Sequence, residues 1–531
     1  MGSRKPKYWD KKGKPGPYDV IVIGSGMGGM TTAAMLAKLG HRVLVLEQHY
    51  VPGGFTHCFK RKKYHWDVGV HAVGEVTEHS MTGRLLAWLT DGRLQWESLG
   101  DVYDEFYYPD GVRLDFPNNP RQLRDNLVEA FPAEEQAIDE YLDYVRKVAS
   151  GMKGYYLAKA TKGQLGSVAG RFLARRAQEF LELRTRDVLT SLTGDPKLRS
   201  VFAAQWGYYG SPPSRSSFAI QALVVKHFWW GGYYPRGGSS AIATELLRTV
   251  AKAGGWTRIR ADVEQILIEG DRAVGVRLVG GEEIRAPKVI SAAGVSATVA
   301  RLLPEPWNQQ AWAKPIQELK PASAHVCLYL GFKGDIREHG AGSANKWFYN
   351  TWDNEQEAWD VSDPERLGEV PILYCSFPSL KDPEYDPGPE ELHTGEVVTF
   401  VPWEAFEPWL GTAWKKRGEE YEAYKAALQD KLLASFLEHM PSLEPLIDHV
   451  ELSTPLSTDN FCRPMRGSIY GLEPTPERFK THGLRAASPI EGLYFSGSEV
   501  ASVGVMGALV GGMLAAVAAE PLRGIDAIRR L

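Results

Sequence analysis

Cysteine is scarce in this 531-residue chain: Cys58, Cys327, Cys375 and Cys462 stand far apart, with no CxxC pair among them. That usage suits a reducing compartment, argues against a disulfide framework and offers no thiolate metal spacing. Histidines cluster early, at His41, His49, His57, His65, His71 and His79, yet none makes an HxxxH or HExxH pair. No metal site is expected from them. A dominant charge is lacking too. The 61 Lys and Arg against 65 Asp and Glu leave a net charge of −4, which gives no electrostatic footprint for nucleic acid. Long apolar runs are nearly absent. The exception, Val500–Ala519, carries no charge and is long enough to cross a bilayer, but four glycines keep its hydrophobicity marginal. Residues 1–16 are basic and rich in Pro and Gly, so a disordered tail is expected there rather than a secretory signal.

What the chain does have is concentrated between Tyr18 and Glu47. An apolar, β-branched run (Val20–Ile23) reads as a buried parallel strand. It leads into Gly24-Ser-Gly26-Met-Gly-Gly29, then an Ala/Met/Leu-rich helical pattern, then a second apolar run, Val43–Leu46, that closes on Glu47. Strand, glycine turn, helix, strand and acid in this order form the dinucleotide-binding fingerprint. Gly24 permits the tight turn, Gly26 lets backbone approach a pyrophosphate, and Gly29 lets helix and strand pack closely. The helix start supplies N–H donors and partial positive charge, and Glu47 is expected to accept from a ribose diol.

Beyond Glu47, Gly53-Gly54 is a doublet suited to backbone passing close to a cofactor. His71 lies between Gly69 and Gly74 and is open to two readings, a core histidine or an acid–base group beside the cofactor. From Ser80 to about Ser200 the pattern reads as helical. Within it, residues 152–176 interleave aromatics with Lys153, Lys159, Lys162, Arg171, Arg175 and Arg176 and contain no acid. This segment is either a solvated amphipathic helix or one lying in a membrane interface. The Gln205–Ser214 and His227–Ser239 blocks are dense in aromatics and glycine, fit to line a cleft for an extended apolar ligand. Strand-like runs at 263–268, 273–278 and 283–286 form a β-meander before a buried strand, Val289–Ala293. Near the C-terminus, a strand ending at Ser496-Gly497 runs into Ser498-Glu499 and Gly504-Val-Met-Gly507. That context makes 500–519 a cofactor-facing helix rather than a membrane span.

With the two glycine–acid motifs in view, the chain resembles the FAD-dependent oxidoreductases of the phytoene desaturase superfamily. More narrowly, it is similar to the branch of retinol saturases and carotenoid isomerases. The narrower likeness rests on Leu46-Glu47-Gln48-His49, Gly69-Val-His71, Gln205-Trp206-Gly207, Gly232–Ser239, Ser376–Pro383 and Arg463-Pro464. The long basic segment near 160 and the Pro-rich insert near Asp386 depart from the pattern.

The resemblance implies an α/β flavoprotein with a Rossmann-like FAD lobe (17–76, 228–304, 455–531) interleaved with a mixed α+β substrate lobe (77–227, 305–454). It implies noncovalent FAD held by Gly24, Gly26, Gly29, Glu47, Gly53, Gly54, Val263, Gly497, Glu499, Gly504 and Gly507. The expected chemistry is redox at a conjugated C=C of a hydrophobic polyenyl lipid, most directly reduction. Isomerisation and desaturation are the alternatives, and NAD(P)H is one candidate electron donor. His71 and Tyr234 are the candidate proton donors. A cytoplasmic enzyme peripherally bound to a membrane is expected, with its oligomeric state open. A flavin amine oxidase or a non-enzymatic lipid- or flavin-binding protein are the readings from other classes.

Overall fold

The computed structural model describes residues 8–160, 175, 177–356 and 358–531. Its organising element is a parallel six-stranded sheet of Trp9–Asp10, Trp256–Ile259, Val43–Glu47, Val20–Ile23, Lys288–Ser291 and Leu493–Phe495, in that spatial order. The Val20–Ile23 and Val43–Glu47 strands are buried throughout, as near-continuous apolar runs in a parallel sheet must be. The edge strand is a correction to the expected tail: from Tyr8 the chain is ordered, with Trp9 in register with Thr257. Arg42 locks this stretch by donating to the carbonyls of Pro15, at 2.7 Å, and Pro17, at 3.1 Å. The β-meander is present as Val263–Glu269, Arg272–Leu278 and Glu283–Arg285.

Helix Met27–Lys38 packs against helix Gly504–Ala519 with almost no side chain between them. A Cβ on Gly28 would lie 2.5 Å from Gly497 Cα, and one on Gly512 would lie 2.5 Å from Gly28 O. Thr32 Oγ1 reaches across to Gly512 O at 2.9 Å. The charge-free C-terminal run is therefore a core helix of 16 residues, its Leu and Met side chains and all its Ala residues but Ala508 buried. Among the described residues, no helix is long and apolar enough to cross a membrane.

The second large sheet is mixed and has seven strands, ordered Ile447–Ser453, Ala324–Lys333, Leu392–Val401, Ile372–Ser376, Asn345–Tyr349, Val102–Tyr107 and Arg113–Pro117. Its last two strands fall where a helical pattern was expected. There Tyr103 and Phe106 bury their rings, and Pro109-Asp-Gly111 makes the hairpin turn. Elsewhere in that stretch helices dominate, the longest being Glu135–Ala160. On it, Met152 and Tyr155 are core residues, and Lys159 is buried with Nζ donating to Leu484 O at 2.5 Å. Lys159 is thus withdrawn from any surface, because its donor is spent inside the fold. Residues 161–174 and 176 of the expected basic segment lie outside the described residues.

Candidate active site

Two helix starts and two strand ends converge on one cavity of about 1060 Å³. At its first end, Gly24 turns with φ +92°, and its N–H donates to Leu46 O at 2.8 Å. Helix Met27–Lys38 then begins at Gly26 with no side-chain cap. A Cβ on Gly26 would meet nothing within 4 Å, while one on Gly29 would lie 2.1 Å from Gly24 O. The open glycine faces the cavity and the crowded one packs the turn. Glu47 is buried, and its carboxylate accepts from Ser25 N at 2.9 Å, Ser25 Oγ at 2.5 Å and His49 N at 2.8 Å. Gly53, with φ +128°, donates its N–H to Ser25 Oγ at 3.1 Å and so braces this loop from behind.

The second cradle mirrors the first. Gly497 turns with φ +104° at the end of strand Leu493–Phe495, and helix Gly504–Ala519 also starts without a side-chain cap. The Glu499 carboxylate accepts from Ser296 N at 2.8 Å and from Ser296 Oγ at 3.0 Å. Gly24, Gly26, Glu47, Gly54, Val263, Gly497, Glu499, Gly504, Gly507 and His71 all line the cavity. Gly29 and Gly53 stand behind its wall. Tyr234 also stands away from it: its buried hydroxyl donates to Asp67 Oδ2, so it is not presented to a cavity ligand as expected. Two uncapped helix starts, an open glycine and buried carboxylates fit a dinucleotide, whose diphosphate would take the free N–H groups.

Away from the glycine turns the cavity wall becomes aromatic. Trp347 and Tyr374 have ring centroids 4.4 Å apart, Tyr208 lies 5.0 Å from Trp347, and Phe400 continues the wall. Tyr374 meets the His71 ring edge-on at 5.3 Å. His71 therefore sits where the polar cradle gives way to the apolar arm.

Behind His71 lies a buried polar cluster. His71 Nδ1 is 2.9 Å from Glu396 Oε2, and Glu396 Oε1 accepts from Asp67 N at 3.0 Å. Asp67 also accepts from Ser239 Oγ at 2.6 Å and Cys58 Sγ at 3.0 Å. Lys381, buried, donates to His71 O at 2.8 Å, Ser376 Oγ at 2.7 Å and Asn345 Oδ1. Burial pushes Lys381 down to about 7, against the opposing pull of Glu396, Asp104 and Asp67. Burial also raises Asp104, which accepts from Tyr208 and Asn345, to about 6. Glu396 and Asp104 carried no sequence signal: Glu396 is one acid in an otherwise strand-like run, and Asp104 lies in a stretch whose pattern read as helical. Lys381 lies in the Ser376–Pro383 stretch that marks the resemblance.

A family model described as flavin containing amine oxidoreductase matches residues 27–519. The chain belongs to that family. It is 32% identical to the all-trans-retinol 13,14-reductase of Danio rerio, over 96% of this chain and 89% of that one. A chloroplastic prolycopene isomerase of Daucus carota is 25% identical over 95% of this chain and 81% of its own length. Among solved structures, wild-type putrescine oxidase bound to putrescine superposes with a TM-score of 0.60 at 16% identity, covering 95% of this chain and 99% of that one. At that identity the superposition establishes the fold alone. Within the flavin family, the chain falls in the branch that holds the retinol reductases and carotenoid isomerases.

Proposed function

We propose that this protein is an FAD-dependent reductase that saturates a conjugated C=C bond of a hydrophobic polyenyl lipid of the retinoid or carotenoid class. The observation that carries this reading is the apolar arm of the cavity. Tyr208, Trp347, Tyr374 and Phe400 line it, and among the described residues no carboxylate lines the cavity beside them to hold an ammonium group, since Asp104 stands behind the wall, bonded to the Tyr208 hydroxyl. An extended polyene gains from such a wall by burial of apolar surface, about 25 cal/mol per Å². An amine would require a polar cage instead. The retinol reductase relative supports the same substrate class.

Glu47 would hold the adenosine ribose, the helix starts at Met27 and Gly504 the diphosphate, and Val263 the adenine end of the cavity. FAD supplies the hydride chemistry when bound. The protein orients the polyene, excludes water and places His71 at the junction of cradle and arm, within reach of both as a proton donor. Access for so insoluble a substrate is supported by the cavity rim, where exposed Met81 lies with Lys153. A membrane surface is the natural source of lipid there.

The deciding experiment is incubation of flavin-loaded protein with a panel of retinoids and carotenoids, with NADPH or dithionite as reductant, followed by mass analysis. A gain of two hydrogens is expected. Loss of two hydrogens would make it a desaturase, and unchanged mass with altered retention an isomerase. Amine oxidation with peroxide release and no polyene turnover would overturn the reading.

A further inference from the structure

The cluster behind His71 is larger than an orienting contact requires. His71 Nδ1 and Glu396 Oε2 stand 2.9 Å apart, within reach of each other but not aligned as a formed hydrogen bond, and among the described residues neither atom has a hydrogen-bond partner. Glu396 is fully buried on the central strand Leu392–Val401, while His71 lines the cavity. With Nδ1 turned to Glu396, Nε2 is left as the ring nitrogen for a cavity ligand. We propose that Glu396 is the proton source for this site, acting through His71: its carboxyl O–H faces Nδ1, so that the neutral imidazole offers an Nε2–H to the bound lipid.

The charge balance of the cluster supports this. Burial holds Glu396 well above the ordinary carboxylate range, with Asp67 adding to the effect and Lys381 opposing it. Burial also takes His71 down to about 3, with Lys381 adding to it and Asp67 opposing. Both shifts favour the uncharged form of the pair, a carboxyl group beside a neutral imidazole. The other groups that face it are His325, itself pushed down to about 4 by burial and by His71, and Cys327, Tyr329, Tyr234 and Tyr374. All of these are neutral near pH 7. The transfer balances as follows. The Nε2 proton goes to one carbon of the double bond, the Glu396 proton moves from Oε2 to Nδ1, and Glu396 is left as a carboxylate. A hydride equivalent from reduced flavin goes to the other carbon and completes the two-electron reduction. The new negative charge appears beside Asp67 N–H, which already donates to Oε1 at 3.0 Å, and draws on Lys381, whose charged form it favours. A buried charge without such partners would be far too costly to form.

This assignment builds on the reading of the cavity as a site of C=C reduction, but its first test is independent of substrate. In the flavin-loaded full chain with ¹⁵N-labelled histidine rings, the His71 signal, assigned by its loss in His71→Gln, is expected to show Nε2 protonated and Nδ1 bare at pH 7. An Nδ1–H tautomer or an imidazolium there would overturn the proposal, whatever the substrate proves to be. The second test is Glu396→Gln, which keeps a donor toward Nδ1 but has no proton to release. It should retain flavin while polyene turnover falls by about 10²–10⁴-fold. Turnover within a few-fold of wild type at full flavin loading would also overturn it. Should the variant fail to fold, the wild-type tautomer still decides.

Discussion

Replacing Glu47 should damage the fold and cofactor affinity separately, and the two losses can be measured apart. The carboxylate accepts from two backbone N–H groups, Ser25 and His49, in a site where Glu47 is only 6% exposed. Glu47→Ala leaves both donors without their partner, at about 1–3 kcal/mol each. The protein without flavin should therefore lose about 2–6 kcal/mol of stability, toward the low end if water fills the space. Charge-assisted bonding to a ribose diol contributes a further ~1.5–3 kcal/mol to binding alone, or about tenfold to a hundredfold in affinity. Glu47→Gln keeps one acceptor oxygen and should fall between wild type and Ala on both scales. Urea unfolding of deflavinated protein reads the first quantity and calorimetric titration with FAD reads the second. FAD affinity within threefold of wild type in Glu47→Ala would refute the ribose contact. An unchanged urea midpoint would refute the accounting for the buried donors.

His71→Gln should keep flavin content and melting temperature near wild type while turnover drops by about 10²–10⁴-fold; joint loss of flavin and melting temperature would instead mark a core role. His57, held by burial at about 4 against an ordinary 6.5 while its contact with Gly54 O opposes the shift, binds its proton more readily in the unfolded chain. The His57 share of stability should accordingly be lost as pH drops from about 6.5 to about 4, about 3 kcal/mol, and His57→Phe should make the slope of urea midpoints with pH shallower by that amount. The same slope in both proteins would contradict this. Binding of the full chain to anionic vesicles should weaken with salt, and Lys153→Gln should cost about 1 kcal/mol of it, roughly fivefold; equal co-sedimentation of the two proteins would exclude Lys153 from the contact.

The parts of the molecule legible in the sequence are those that short-range rules govern. Gly24, Gly26, Gly29 and Glu47 lie within one strand–turn–helix–strand unit, and their spacing alone dictates the turn, the open backbone and the acid at the next strand end. The meander at 263–285 follows for the same reason, since alternation is local. The Val102–Pro117 hairpin was hidden because its acidic residues imitate the charged spacing of the helices around it. The partners of His71 were hidden for a deeper reason. Glu396 and Lys381 reach it from strands and turns far along the chain, and nothing in their own neighbourhoods marks them as facing a histidine. Tyr234 drew notice as an aromatic beside glycines, and only the fold reveals that its hydroxyl is committed to Asp67.

The glycine seam between helices Met27–Lys38 and Gly504–Ala519 has a consequence for how the molecule comes into being. Residues 24–38 and 493–519, far apart in sequence, must meet before the cradle is complete, and strand Leu493–Phe495 must dock beside Lys288–Ser291 to finish the sheet. At about 5–20 residues per second, a ribosome needs on the order of 25–100 s to deliver the closing segment. Until then the apolar flank of Val20–Ile23 and its neighbours waits uncovered, with long-range pairings still to form, the regime in which chains fold slowly and stick to one another. Cofactor loading is therefore a late event in the life of each molecule, because the second half of the cradle arrives with the closing segment.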